Sequence, residues 1–432
     1  LIERDKKLGG TCLLRGCIPT KSLLHTASLL DSFAKAGDFG VDVAGFTLDM
    51  EKAIKRKERV VAKLTAGVAG LMKKYGVTVF KGHGRLAGKG VVEVEGETRQ
   101  TLQARHVILA TGSEVKNLPF ATPDHQRILT SDSILDLTRV PKSLVVLGAG
   151  AVGMEFASIF RSFGAQVTLV EMMPHLLPLE DEDVSKEIEK AYKRRKIEFR
   201  LGAKVQKVET TDTGVRLAVA EGEKTETLDA EALLVAVGRK PVIENLGLET
   251  AGVKTERGFV LADSLMRTNV ENIWAIGDLI PTLALAHVAS HEGVVAADAI
   301  AGKNPTPINY DHAPSATYTA PEVASVGLTE KKARERGHDV KVGTMPFAAI
   351  GKATISGENE GFVKIVADAK YGEVLGVHIV GPHATELIAE ACTALTLETT
   401  AEEIAQSIHA HPTLSEAMGE AAHGVLGHTL NF

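Results

Sequence analysis

Cysteine is scarce in this chain: three occur in 432 residues. That is too few for the cross-linked framework of a small secreted domain. A reducing compartment is expected, the cytoplasm or, in a eukaryote, the mitochondrial matrix. Aromatic residues make up only 4% of the chain and the net charge is −6. A base-stacking, basic surface for nucleic acid is thereby excluded. No apolar run approaches the roughly 18 residues of a membrane-spanning helix. No second Cys/His pair stands at zinc spacing, so no metal site is expected. The one basic concentration, Lys193-Arg194-Arg195-Lys196, reads as the solvated end of a helix.

Glycine, by contrast, is plentiful at 41 residues, above the roughly 7% of an average protein. Many glycines with few aromatics suit nucleotide-binding turns. At roughly 150 residues per domain the length suggests about three domains. The chain opens Leu1-Ile2-Glu3-Arg4, a strand end followed by an acid, with no signal peptide. That opening predicts an N-terminally truncated fragment.

Periodicity predicts helices near Thr20–Ala36 and Leu48–Tyr75 and short strands at Val77–Phe80, Val91–Val94 and Val107–Ala110. A strand–turn–helix–strand unit follows: Leu144–Leu147, a glycine turn, Ala151–Phe163 and Val167–Val170. Further on come a helix at Glu182–Arg194, strands near Val205, Val215 and Leu233–Val237, a strand at Ile273–Ile276 and a helix at His287–Ala301. Lys303–Pro307, with two prolines, reads as a linker. Beyond it strands precede helices, the order of an α+β block.

Gly148-Ala149-Gly150-Ala151-Val152-Gly153 matches G-x-G-x-x-G between a buried strand and a helix. Glycines allow the backbone to approach a pyrophosphate, and the helix N-terminus favours its charge. Glu171, 23 residues after Gly148, stands where an acid holds a ribose 2′-hydroxyl. It would repel a 2′-phosphate, and Met172 and Met173 offer no cation, so NAD is favoured over NADP.

Cys12 and Cys17 form C-x4-C. In an undistorted helix they would be separated by roughly 7.5 Å of rise and about 140° of rotation, too far for a disulfide. Gly16 and Pro19 supply an irregularity that could close the gap. Cys12 is expected just before a helix, where the dipole lowers a thiol pKa. On spacing alone, a redox disulfide and two buried thiols both remain open. Cys392 is expected to be a packed thiol.

His411-Pro412-Thr413-Leu414-Ser415-Glu416 places a histidine before a helix start. Thr413 can cap that helix, and Glu416 in its first turn can orient the imidazole as a general base. His409 has no such partner in sequence and is expected to be structural. Asp278, before an Ala-rich helix, suits a cofactor contact or a simple helix cap. Glu155 is expected in the first turn of its helix, where a carboxylate is favourable in any case.

The run Gly9-Gly10-Thr11-Cys12-Leu13-Leu14-Arg15-Gly16-Cys17-Ile18-Pro19-Thr20-Lys21 closely resembles the active-site signature of the pyridine nucleotide–disulfide oxidoreductases. His409-Ala410-His411-Pro412-Thr413-Leu414-Ser415-Glu416 resembles their dihydrolipoamide dehydrogenase branch. The resemblance extends over the whole chain through Ala110–Ser113, Val237–Pro241, Ala275–Asp278, Tyr318–Glu322 and Gly376–Ile379. It implies an α/β fold of two Rossmann-like dinucleotide-binding domains, for FAD and NAD, plus an α+β C-terminal dimerisation domain. The implied segments are 1–141 (FAD, its first βαβ unit missing), 142–269 (NAD), 270–307 (FAD and central continuation) and 308–432 (interface).

The same resemblance implies the chemistry. Cys12 would exchange with dihydrolipoamide, and Cys17 would face the flavin. Lys21 would sit beside the flavin ring, paired with Glu155. His411, held by Glu416 and supplied by the partner subunit of a homodimer, would take the substrate proton. FAD would be held by Glu3, Thr11, Lys21, Gly84, Thr111, Gly112, Ser113, Asp278 and Ala286. NAD would be held by Gly148, Gly150, Gly153, Glu171, Val205 and Gly238. The implied partners are the lipoyl domains and the peripheral-subunit-binding domain of an acyltransferase, in a 2-oxo acid dehydrogenase complex or the glycine cleavage system. Glutathione reductase would need basic residues after the second strand, where Glu171-Met172-Met173 stand. Mercuric reductase would need a cysteine pair near the C-terminus, and the last 40 residues have none. A non-catalytic assembly subunit is opposed by the joint presence of Cys12, Cys17, His411 and Glu416. Ala348–Lys352 departs from the more polar loop that the family leads one to expect.

Overall fold

The computed structural model describes residues 1–429. Two units are distinguished by their internal contacts. The first comprises Leu1–Ser22, Lys52–Lys116 and Gly238–Tyr310, and the second Leu23–Glu51, Asn117–Val237 and Asp311–Phe432.

In the first unit, short parallel pairs join Ile2–Glu3 to Phe80–Lys81 and Val107–Leu109 to Ile273–Ala275. A three-stranded antiparallel sheet is formed by His83–Gly88, Val91–Glu95 and Gln100–Gln103. The helix Ala286–Ile300 turns Val295 and Ala296 onto a core that includes Leu109, Ile273, Trp274 and Leu279. Helix Met50–Lys74 is predicted within two residues at each end; most of it, from Lys52, belongs to this unit.

In the second unit a five-stranded parallel sheet runs in the order Glu198–Arg200, Gln166–Val170, Ser143–Leu147, Ala232–Val235, Ile128–Thr130. Strand order reverses beside Ser143–Leu147, so the glycine turn that follows lies at a topological switch point, where open α/β sheets bind ligands. These strands read as continuous apolar runs because both faces are covered, by the helix Ala151–Ser162 and by an antiparallel sheet. An antiparallel sheet of Ala203–Thr210, Val215–Glu221 and Lys224–Ala230 packs its apolar side into the same core. The C-terminal block is a five-stranded antiparallel sheet with helices Ala384–Thr396, Ala401–Gln406 and Glu416–Val425 on its core.

One buried ionic cluster ties this second unit together. Lys364, on the strand Phe362–Asp368, places Nζ 2.9 Å from Asp181, 2.7 Å from Asp183 and 3.0 Å from Glu330. Asp181 also caps helix Glu182–Arg194 through the Asp183 N–H at 3.1 Å. Burial raises the Asp181 pKa, but nearby His378 and Lys364 outweigh it and hold the carboxyl below its ordinary 3.8. Lys364→Met strands three carboxylates without their cation and is expected to cost about 3–5 kcal/mol, read as a lower urea midpoint at unchanged m. A depressed carboxyl stabilises above its unfolded pKa and loses that contribution as pH falls through its folded value. The gap between wild type and variant should therefore narrow in acid, below about pH 4.

The basic run ends the helix Glu182–Arg194 with Lys193, Arg194 and Lys196 exposed, as expected, and Arg195 is the exception. Arg195 is not solvated: its guanidinium donates to Ser158 Oγ (2.6 Å), Ser162 Oγ (2.7 Å) and the Ala320 carbonyl (3.2 Å). Composition along the chain could not reveal this, because every partner is distant in sequence.

Candidate active site

The two cysteines flank a break in the helix. Cys12 lies in the short helix Gly10–Arg15, and the 18-residue helix Cys17–Ala34 begins at Cys17. Between them Gly16 takes φ −130° and ψ −114°. A Cβ there would stand 2.9 Å from the Thr11 carbonyl oxygen and 3.2 Å from the Cys12 Cα, so glycine is what lets the chain fold back on Cys12. A hydrogen bond to Cys17 pushes the Cys12 thiol pKa up, burial adds to this, and Lys21 pulls the other way. One expectation is corrected: the long helix presents its positive end at Cys17, while Cys12 sits inside the preceding short helix. Thr11 neighbours Cys12 in that helix, and Lys21 stands one turn beyond Cys17 on the same face.

A second cluster surrounds Asp278. Arg239 Nε donates to Ser113 Oγ at 2.7 Å, and Ser113 Oγ in turn donates to the Asp278 carboxylate. Gly112 adopts φ +67°, and Thr111 Oγ1 donates to the Val242 carbonyl at 2.7 Å. Asp278 lies in the turn Gly277–Leu279, well before the helix that opens at Ala286, which excludes the helix-cap reading. That helix has Leu285 at its N-cap and no side-chain cap, so its first N–H donors are left for an acceptor such as a phosphate.

Sequence reasoning missed Glu292, which braces this turn. It is fully buried and accepts from Gly277 N–H (2.6 Å), Thr282 Oγ1 (2.8 Å) and Tyr310 OH (2.9 Å). Burial, then Glu292 itself, pushes the Tyr310 pKa up. An acid within an Ala-rich helix was the available signal. Glu3 ends its strand and accepts from the Asp5 N–H at 2.8 Å. Gly84 lies on its strand with Ile2 3.2 Å from where its Cβ would be.

The turn after Ser143–Leu147 divides its glycines by task. A Cβ at Gly148 (φ +102°) would meet the Ala236 carbonyl oxygen at 2.5 Å, and one at Gly153 would meet the Gly148 oxygen at 1.9 Å. At Gly150 nothing lies within 4 Å, and this N-cap position makes no side-chain cap. The first and third glycines serve packing; the second leaves the helix N-terminus open to a phosphate. The buried Glu171 accepts from Ala149 N–H (2.7 Å) and Met173 N–H (2.8 Å), so it also braces the turn.

Val205 packs its side chain in the core with Val145, Leu147 and Val170. One expectation needs correcting in this region. Glu155 lies beyond the first helical turn, buried, and accepts from Tyr318 N–H at 3.0 Å; it is more than dipole compensation. Gly238, at φ +108°, precedes the strand Arg239–Pro241 with open space at its Cβ position.

Near the C-terminus His411 Nδ1 lies 2.8 Å from Glu416 Oε1, and the imidazole is 79% exposed. Glu416 Oε2 accepts from the Thr413 N–H at 2.8 Å. Burial raises the Glu416 pKa, but the Thr413 N–H and His411 outweigh it and hold the carboxyl below its ordinary value. A carboxylate only accepts, so it assigns the proton to Nδ1 and leaves Nε2 as the basic nitrogen. Thr413 is not a helix cap, contrary to expectation: the helix Glu416–Val425 has Ser415 at its N-cap, and Thr413 donates to Glu416 instead. His409 is not partnerless either, since Nε2 stands 2.8 Å from Glu390 Oε1.

The family model for pyridine nucleotide–disulphide oxidoreductases matches residues 1–293, and the model of the dimerisation domain of that family matches residues 313–422. The chain belongs to the pyridine nucleotide–disulphide oxidoreductases. Among its relatives, the dihydrolipoyl dehydrogenase of Bacillus subtilis is 44% identical over all of this chain and 94% of its own length. That of Zymomonas mobilis is 44% identical over all of this chain and 93% of its own. The crystal structure of LpdA from Mycobacterium tuberculosis matches with a TM-score of 0.91 at 29% identity, covering 98% of this chain and 92% of that one. The flavoprotein disulfide reductase RclA from Escherichia coli, as its Cu(II) complex, matches at 0.87 and 27%, with the same coverage.

This member of the family is thus a flavoprotein disulphide oxidoreductase of mixed α/β fold, with FAD- and NAD-binding domains and a C-terminal dimerisation domain. The family uses FAD and NAD(P), and the dimerisation domain implies a homodimer. No helix among the described residues is long and apolar enough to cross a membrane.

Proposed function

We propose that the chain is a dihydrolipoyl dehydrogenase that oxidises protein-bound dihydrolipoamide to lipoamide and reduces NAD. The observation that carries this reading is the joint presence of a cysteine pair folded across Gly16 and an exposed histidine whose Nδ1 is engaged by Glu416. Identity of 44% to two dihydrolipoyl dehydrogenases over the full chain supports it.

In the working cycle Cys12 and Cys17 begin as a disulfide. His411 of the partner subunit removes a proton from one substrate thiol, and the thiolate attacks Cys12 sulfur, expelling Cys17. The second substrate sulfur then displaces Cys12 and closes lipoamide, leaving the enzyme dithiol. FAD, when bound, supplies two-electron transfer from that dithiol to NAD. The residues around it fit such a group: an uncapped helix start at Ala286, the Asp278 carboxylate held by Ser113, and the turn at Thr111–Gly112. Glu3, Thr11, Lys21 and Gly84 would complete the set. NAD would lie over Gly148, Gly150 and Gly153, with Glu171 toward its ribose and Gly238 nearby. The functional division is 1–141 and 270–307 for FAD, 142–269 for NAD and 308–432 for dimerisation. An acyltransferase with lipoyl domains and a peripheral-subunit-binding domain is the partner, in a 2-oxo acid dehydrogenase complex or the glycine cleavage system, in the cytoplasm or the mitochondrial matrix.

Steady-state assays with lipoamide, glutathione disulfide, NADH and NADPH test the reading. Lipoamide reduction with NADH well ahead of NADPH is expected, because Glu171 repels a 2′-phosphate and Met172 and Met173 offer it no cation. Activity confined to NADPH and glutathione disulfide would overturn it.

A further inference from the structure

We propose that His409 is a positioning residue for the His411–Glu416 pair, clamped between Glu390 and the bare helix face at Gly419. The inference rests on the reading of His411 as proton acceptor. The residues between Gln406 and Glu416 form neither helix nor strand, so no backbone ladder fixes His411 in place. Its anchors are local: Glu416 on its imidazole, and a Thr413 hydroxyl that donates to the Ala410 carbonyl at 2.6 Å. His409 supplies a further one. Its side chain is only 12% exposed, with Nε2 2.8 Å from Glu390 on the helix Ala384–Thr396. The other edge of the ring lies on the helix Glu416–Val425: a Cβ at Gly419 would stand 3.0 Å from Nδ1 and 3.2 Å from Cε1. A Cβ at position 419 would require the imidazole to give by a few tenths of an ångström. One ring therefore bridges two helices, and the second of them begins with Glu416.

The charged and titratable groups facing His409 are Glu390 from one helix and Glu416 from the other, with the Ser407 backbone on its own loop. His411 follows two residues later in that loop. Glu390 chiefly favours the charged imidazole; burial opposes it, and the Ser407 backbone and then Glu416 add to Glu390. A cation at His409 in turn helps keep Glu416 ionised, which is the form that can accept the Nδ1 proton of His411. His409 thus acts through Glu416 by place and by charge, without touching substrate.

The test uses the full chain with His409→Asn and, because that variant could fail to fold, Gly419→Ala as a second. Displacement of a catalytic group by about 1 Å can cost on the order of 100-fold. A fall in kcat of about tenfold or more, with KM for dihydrolipoamide within about twofold, is expected. The nitrogen-15 signal of His411 Nδ1, recorded without substrate, is expected to shift as its bond to Glu416 loosens. Unchanged kcat together with an unchanged Nδ1 signal would overturn the proposal, as would a rise in KM at constant kcat. Failure of the wild type to oxidise dihydrolipoamide would sink the functional reading alone, since the Nδ1 signal still decides this one.

Discussion

Cys17→Ser is expected to abolish oxidation of dihydrolipoamide, lowering turnover by about 10⁴-fold or more, as loss of one member of a concerted catalytic set does. Two sulfurs are needed because the electron pair leaves the substrate as a disulfide exchange. The substrate thiolate attacks one sulfur of the pair and the other must leave as a thiolate. A serine hydroxyl can neither form that disulfide nor serve as its leaving group. The substitution changes one atom at the start of the helix Cys17–Ala34 and leaves the Gly16 break intact, so folding should survive. Two measurements separate loss of chemistry from loss of structure. Oxidation of NADH by an artificial dye, which needs flavin but no disulfide, should persist in the variant. Anaerobic reduction should consume one pair of electrons fewer per subunit than in wild type. Undiminished lipoamide turnover would refute the assignment of the cysteine pair.

What could be read in advance follows from how local each interaction is. The dinucleotide turn was legible because strand, glycines, helix and acid all lie between Ser143 and Glu171, and each glycine has a distinct steric duty. The helix Glu182–Arg194 was legible to the residue: Asp181 caps it, and basic residues crowd its last turn. The C-x4-C pair was half legible. Spacing required an irregularity and Gly16 offered it, but the side of the break on which each cysteine falls depends on packing against Thr11 and Cys12. His409 is structural as expected, but its partner is hidden in sequence because Glu390 lies 19 residues earlier on another helix. Arg195 and Glu292 were missed for the same reason. Their partners converge from several elements, and the hydrogen bonds that bury a charged group leave no period in the sequence. Buried charge without a local partner is therefore what sequence reasoning overlooks here, and three of the structural anchors of this chain are of that kind.

In the proposed reaction the histidine carries the other large effect. His411→Gln removes the only basic nitrogen of the pair, and loss of a positioned general base costs about 10²–10⁴-fold in turnover. Gln keeps the length and a donor toward Glu416, so the loop need not rearrange. The expected signature is a fall in kcat that rising pH partly restores, as free thiolate replaces the thiol that the base would have deprotonated. Glu416→Gln separates orientation from charge. An amide oxygen can still accept from Nδ1, but the negative charge that stabilises an imidazolium is gone, and a smaller loss, about tenfold, is expected. The pH dependence of the pair has a definite sign. The Glu416 carboxyl is held below its ordinary 4.5, so its contribution is present above that value and is lost as pH falls through its folded pKa. Wild type should therefore keep the Nδ1-to-carboxylate bond throughout the neutral range. Only in acid should its His411 signal approach that of Glu416→Gln, and equal losses in the two variants at neutral pH would mean that the charge, not the imidazole nitrogen, carries the rate.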